Sequence, residues 1–209
     1  MLSTIITTIT ALTLFTNPLV SPFAGEKLLA THEMSLAERY YPVQKENILL
    51  NLAYMDGRVK SKADINWDEI QKPFTMSFKL NPGEVFAYHD DILPEYKGKI
   101  IRTTNTHFNY QEGYKSAGYL VGDGVCHLAS LMYWVALDAG LKAKAPANHN
   151  FMAIPGIEKT YGVSIYSNPM SPGSNTIQNL YITNNLENSI EFMFEYSNEI
   201  LKLSVLEIN

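Results

Sequence analysis

Cysteine occurs once in the sequence, as Cys126 in Gly122-Asp-Gly-Val-Cys-His127, and a second histidine, His149, follows 23 residues later. A thiolate can attack a carbonyl, and a histidine beside it can hold the ion pair and then protonate the leaving group. Downstream of the cysteine, Leu128, Leu131, Met132, Val135 and Ala136 recur at helical spacing. That pattern predicts a helix over 125–139, with Asp123 as N-cap and Gly140 as the left-handed residue past its end. Cys126 then falls in the first helical turn. There the unpaired N–H groups and the dipole favour a thiolate, lowering the thiol below its ordinary ~8.5. The same amides could receive an oxyanion, and Gly122 and Gly124 leave room for a substrate backbone.

His127 is adjacent, but successive helical residues project about 100° apart, so His149 is the better base for Cys126. The orienting partner of His149 is expected to be Asn150, with Asn148 also adjacent, or Glu158. Gly122, Asp123, Gly124 and His127 are the expected substrate-binding residues. Two other readings stay open: Cys126 as a small buried residue, and a metal site of Cys126, His127 and His149, which lacks a fourth ligand at a recognisable spacing. No metal or cofactor is expected.

Composition narrows the field. A single cysteine excludes an intramolecular disulfide and any zinc site of several thiolates. The chain has 209 residues, 46% of them apolar, and carries a formal charge of −5. It is long and apolar enough to bury a full core. It has no basic run of the kind a phosphate backbone requires, so nucleic acid is not an expected partner.

From Met1 to Gly25 there is no charged residue, and an apolar stretch through Ile5, Ile9, Leu12 and Phe15 runs into Pro18. This segment reads as an export leader or membrane tether, which implies an extracytoplasmic, envelope-associated setting. Short helices are expected at 35–41, 45–55 and after an Asn66 cap. Phe74 to Leu80 alternates as a half-buried strand, and Glu84 to Tyr88 follows a turn at Asn81-Pro-Gly83. Residues 90–118 form a long polar connection bearing His107. Beyond the central helix, 162–166, 180–183, 190–196 and 201–208 read as strands too closely spaced for crossover helices, hence antiparallel. The expected fold class is therefore α+β: short N-terminal helices and a central helix with the cysteine at its N-terminus, packed on an antiparallel β-sheet. The expected division is 1–30 leader, 31–72 helical extension and 73–209 main domain.

Taken in order, Pro82-Gly-Glu-x-Phe86, Glu112-Gly-Tyr-Lys-x-Ala117, Gly122-Asp-Gly-Val-Cys-His127, Asn148-His-Asn150 and Asn184-Asn185 resemble the pattern of the VanW-like family, whose name comes from an accessory protein of vancomycin resistance. The resemblance covers about residues 74–208. Gly124, Val125 and Cys126 match the family's cysteine motif, and His149 matches the second histidine of its His-x-His-Ser segment. His127 stands where the family usually has Gln, Ala147 replaces the first histidine, and the family's later Asp is replaced near 156–160. The resemblance implies a bacterial envelope protein. The order of cysteine, histidine and strands is also analogous to transglutaminase and papain-like thiol enzymes. The functions expected are a thiol-dependent amide hydrolase or acyl transferase on peptide or peptidoglycan stem amides, or a non-catalytic envelope module that binds wall peptides or a partner protein with Cys126 structural.

Overall fold

The computed structural model describes residues 25–37, 42–118 and 120–208. A strand of alternating apolar residues, β2 (Phe74–Leu80), pairs antiparallel with another, β7 (Ser189–Ser197). Their inward faces meet in register: Phe78 lies opposite Phe192, with ring centroids 5.0 Å apart, and Phe86 stacks on Phe78 at 5.2 Å. β8 (Ile200–Ile208) returns along β7 after a tight turn in which Asn198 and Glu199 both have positive φ. The fourth strand is β1 (Glu26–Ser35), which pairs antiparallel along the whole of β8. The sheet order is thus β1-β8-β7-β2. β1 crosses the boundary drawn at residue 30, and Ser35, expected to begin a helix, is its last residue. Most of that expected helix, residues 38–41, lies outside the described residues, as does residues 1–24 of the expected leader.

A second, smaller sheet joins β3 (Val85–Ala87), β4 (Ile100–Arg102), β5 (Lys142–Lys144) and β6 (Tyr181–Thr183) in the order β4-β3-β6-β5. Its β3–β4 pair is parallel, the exception to the expected antiparallel arrangement. Residues 88–99 supply the dozen or so residues that a parallel crossover needs. Asn184 ties the two sheets together: its Nδ2 donates to the Leu80 carbonyl and the Asn188 carbonyl, each at 2.9 Å. The expected strand at 162–166 is extended chain without a ladder partner; its backbone bonds go to His149, Lys159, Ala147, Gln178, Ser130 and Cys126.

Three helices follow the expected positions: α1 (Pro42–Asp56), α2 (Trp67–Ile70), capped by Asn66, and α3 (Val125–Asp138). A fourth, α4 (Pro172–Asn175), is a single turn. α3 carries the apolar stripe to the core and packs against α1, β1, β5 and β8. On its outer face Trp134 is stacked between His32 of β1, at 3.6 Å, and Tyr161, at 5.3 Å. The mixed α+β class expected from the sequence is the one found.

Candidate functional site

The loop into α3 is shaped by close backbone approaches. Gly124 is the helix N-cap, with φ of 103°, and a Cβ there would lie 2.6 Å from the Gln44 carbonyl oxygen. At Gly122, φ is 88° and a Cβ would lie 2.9 Å from the Phe108 Cβ. The glycines thus make room for the chain's own neighbours, and both also line the cavity at the start of α3. Asp123 is not the N-cap: its carboxylate accepts from the N–H groups of Ala117 (2.6 Å) and Leu120 (3.2 Å) and closes the preceding turn. From beneath, the buried Asn47 side chain donates to the carbonyls of Asp123 (2.8 Å) and Lys115 (2.9 Å), fixing the loop to α1. The buried Tyr88 hydroxyl lies 3.0 Å from the Val125 carbonyl, and so the first turn is anchored on both sides.

Cys126 is the second residue of α3 and lines a cavity of about 290 Å³. Its sulfur accepts from the Ile165 N–H at 3.3 Å and donates to the Ile165 carbonyl at 3.5 Å. Burial pushes the thiol up to about 11, and the Ile165 hydrogen bond offsets only part of this. The expected lowering does not occur. Desolvation is the largest cause and the nearby Asp123 carboxylate adds to it, and the sulfur's donation to a carbonyl requires the protonated form.

His127 and His149 line the same cavity, their rings edge-to-face with centroids 6.1 Å apart. His127 is 4% exposed, and burial, with His149 nearby, lowers it to about 4. The 100° argument that separated His127 from Cys126 holds for one helical face, but this cavity wraps the helix end and takes both. His149 is equally buried, and burial lowers its pKa too. Its Nδ1 lies 3.1 Å from the Met152 carbonyl, an acceptor only, so Nδ1 carries the proton and Nε2 the lone pair. Met152 therefore occupies the orienting position expected of Asn150 or Glu158. Both of those are exposed and absent from the cavity wall, Glu158 capping the short turn at 159–161.

The rest of the wall was not legible as a site. Phe108, Leu120, Phe151, Ile165 and Tyr166 supply its apolar surface, and the signal that marks it is the exposure of Phe151 (68%) and Leu120 (47%) beside the histidine and cysteine motifs. His107 stands at the edge, its Nε2 2.7 Å from Asp90 and its Nδ1 3.5 Å from Glu112. Burial pulls its pKa down, but the two carboxylates outweigh it and leave the group above its ordinary value.

Cys126, His127 and His149 do not gather ligand atoms into a metal-sized cluster; among the described residues that spacing occurs at His89, Asp90 and Asp91. There His89 Nε2 donates to the Gln178 carbonyl at 3.0 Å and Nδ1 faces the Asn179 amide at 3.4 Å, which leaves no ring lone pair for an ion.

Fold and site together define a mixed α+β protein with a small, mostly apolar cavity at the N-terminus of its central helix. No protein-family model, curated protein or solved structure matches the chain.

Proposed function

We propose that the chain is a VanW-like, envelope-associated binding module that takes a peptide or peptidoglycan-like ligand in the cavity at the start of α3, with Cys126 as a structural thiol. The observation that carries this reading is the closed pair of hydrogen bonds between the Cys126 sulfur and both backbone groups of Ile165. A sulfur so held is protonated and fixes the 163–166 segment to the helix. The family part rests on the motifs from Pro82 to Asn185, and the envelope setting on the uncharged apolar stretch 1–25. No helix among the described residues is long and apolar enough to cross a membrane.

A second reading, thiol-dependent amide hydrolysis or acyl transfer, is supported by the His149 tautomer. Its Nε2 lone pair is the one a general base needs, and Cys126 shares its cavity. One experiment separates the two. Iodoacetamide alkylation of the folded chain is followed from pH 6 to 11. The binding module predicts a rate that keeps rising to the top of the range; a plateau below pH 8 would assign Cys126 as an activated nucleophile.

A further inference from the structure

The cavity has a property that the binding reading leaves unused: its wall is mostly apolar, and the two charged residues that line it, Asp123 and His107, already have partners. Cys126 holds its proton against Ile165, and His127 and His149 are each about 95% removed from solvent with Met152 fixing the His149 tautomer. The Asp123 carboxylate is consumed by two backbone N–H groups. His107, which also lines the cavity, is paired with Asp90 and Glu112. A ligand carboxylate or ammonium placed inside would lose its hydration and find these groups already engaged, so it could be compensated only by disrupting an existing hydrogen bond or ion pair.

Size narrows the ligand further. At about 290 Å³ the cavity lies at the bottom of the range for small-molecule sites and suits one side chain. It does not end there. A more open groove of about 340 Å³ continues from it, sharing Phe108, Leu120, Val121, Tyr166 and Ser167 and running on past Asn109 and Asn168. The groove side offers amides and hydroxyls, as a peptide backbone requires.

Resting on the binding reading, we infer that the cavity is a specificity pocket for one uncharged, apolar side chain of an extended peptide, the flanking backbone lying in the Phe108–Tyr166 groove. Phe151, 68% exposed with its ring 4.1 Å from that of His149, covers the inserted side chain.

The test is a host peptide, acetyl-Gly-Xaa-Gly-amide with Xaa as Leu, Glu or Lys, titrated into the full chain at pH 7. Binding is read from the ring-proton shifts of His127 and His149. The Leu peptide is expected to bind at least tenfold more tightly than either charged peptide, and Phe151→Ala to weaken it several-fold while the fold stays intact by circular dichroism. Equal or tighter binding of the Glu or Lys peptide overturns the uncharged class but leaves the pocket a binding site. No shift with any of the three overturns the binding reading itself. A concentration-dependent dimer in sedimentation that Phe151→Ala disperses would assign the pocket to a second copy of the chain and overturn the peptide.

Discussion

Cys126 and His107 both have raised pKa values, burial being the cause in one and neighbouring carboxylates, against burial, in the other. The cysteine sits at a helix N-terminus, where the dipole lowers a thiol pKa, yet burial raises it to about 11. In the unfolded chain the thiol ionises nearer ~8.5, so ionisation favours unfolding. The stability it contributes is complete below the unfolded pKa and is lost as pH rises toward 11. Urea midpoints of wild type and Cys126→Ala should therefore differ most near pH 7.5 and converge by pH 10; a constant gap would mean that the sulfur is not desolvated. His107 loses its contribution in the same direction of pH, from a different cause. Facing Asp90, Glu112 and, more distantly, His89, it is raised despite its burial, so its contribution is present below the unfolded value and lost as pH climbs through the folded one. Asp90→Asn removes the 2.7 Å partner and should lower the His107 titration midpoint followed by NMR; an unmoved midpoint would leave Glu112 as the group that matters. That Cys126 and His149 share one cavity agrees with what motif spacing suggested. The Met152 carbonyl and the Ile165 backbone were not legible there, because they are main-chain groups that any residue type supplies.

The central helix was legible because its apolar period, its start and its glycine stop all agree, and the observed Val125–Asp138 ends one residue from the expected limit. The two glycines at its ends make different demands. Gly140 has φ of 76° with nothing within 4 Å of a Cβ, so Gly140→Ala meets only backbone strain, about 1 kcal/mol. Gly124→Ala adds a collision with the Gln44 backbone at 2.6 to 3.1 Å, which neither side can relieve by turning a side chain. It should cost more than about 2 kcal/mol by chemical denaturation and broaden the resonances of the cavity wall. Similar losses at the two positions would show that α1 does not hold the start of α3. One turn further in, the Ser130 hydroxyl donates to the Cys126 carbonyl (2.7 Å) and accepts from the Val163 N–H (2.9 Å). Ser130→Ala strands that buried N–H, an expected loss of about 1–3 kcal/mol, and faster hydrogen exchange at Val163 would locate the damage. A helical stripe gives no sign that one of its serines anchors a distant extended segment.

At the scale of the whole molecule, the strand least visible in the sequence closes the larger sheet. Residues 26–35, Glu-Lys-Leu-Leu-Ala-Thr-His-Glu-Met-Ser, contain mostly good helix formers and no strict alternation. The partner that makes them a strand is β8, at the far end of the chain, and local propensity carries no record of a pairing so remote. β2, β7 and β8 were legible because their alternation reflects a buried face, whereas β1 is an edge strand with much of its surface in water. Its hold on the core is concentrated in Met34, 3% exposed and opposite Leu201, while Leu28 on the same strand is 54% exposed. Met34→Ala in the full chain should therefore cost about 2–5 kcal/mol of unfolding free energy, and Leu28→Ala under about 0.5 kcal/mol. Because β1 also carries His32 onto the Trp134 indole, loss of β1 should leave a Trp134 emission change in the same transition as the far-ultraviolet signal. If Met34→Ala proved as mild as Leu28→Ala, or the tryptophan signal moved in a separate, earlier step, β1 would be an attachment to the sheet and not one of its structural strands.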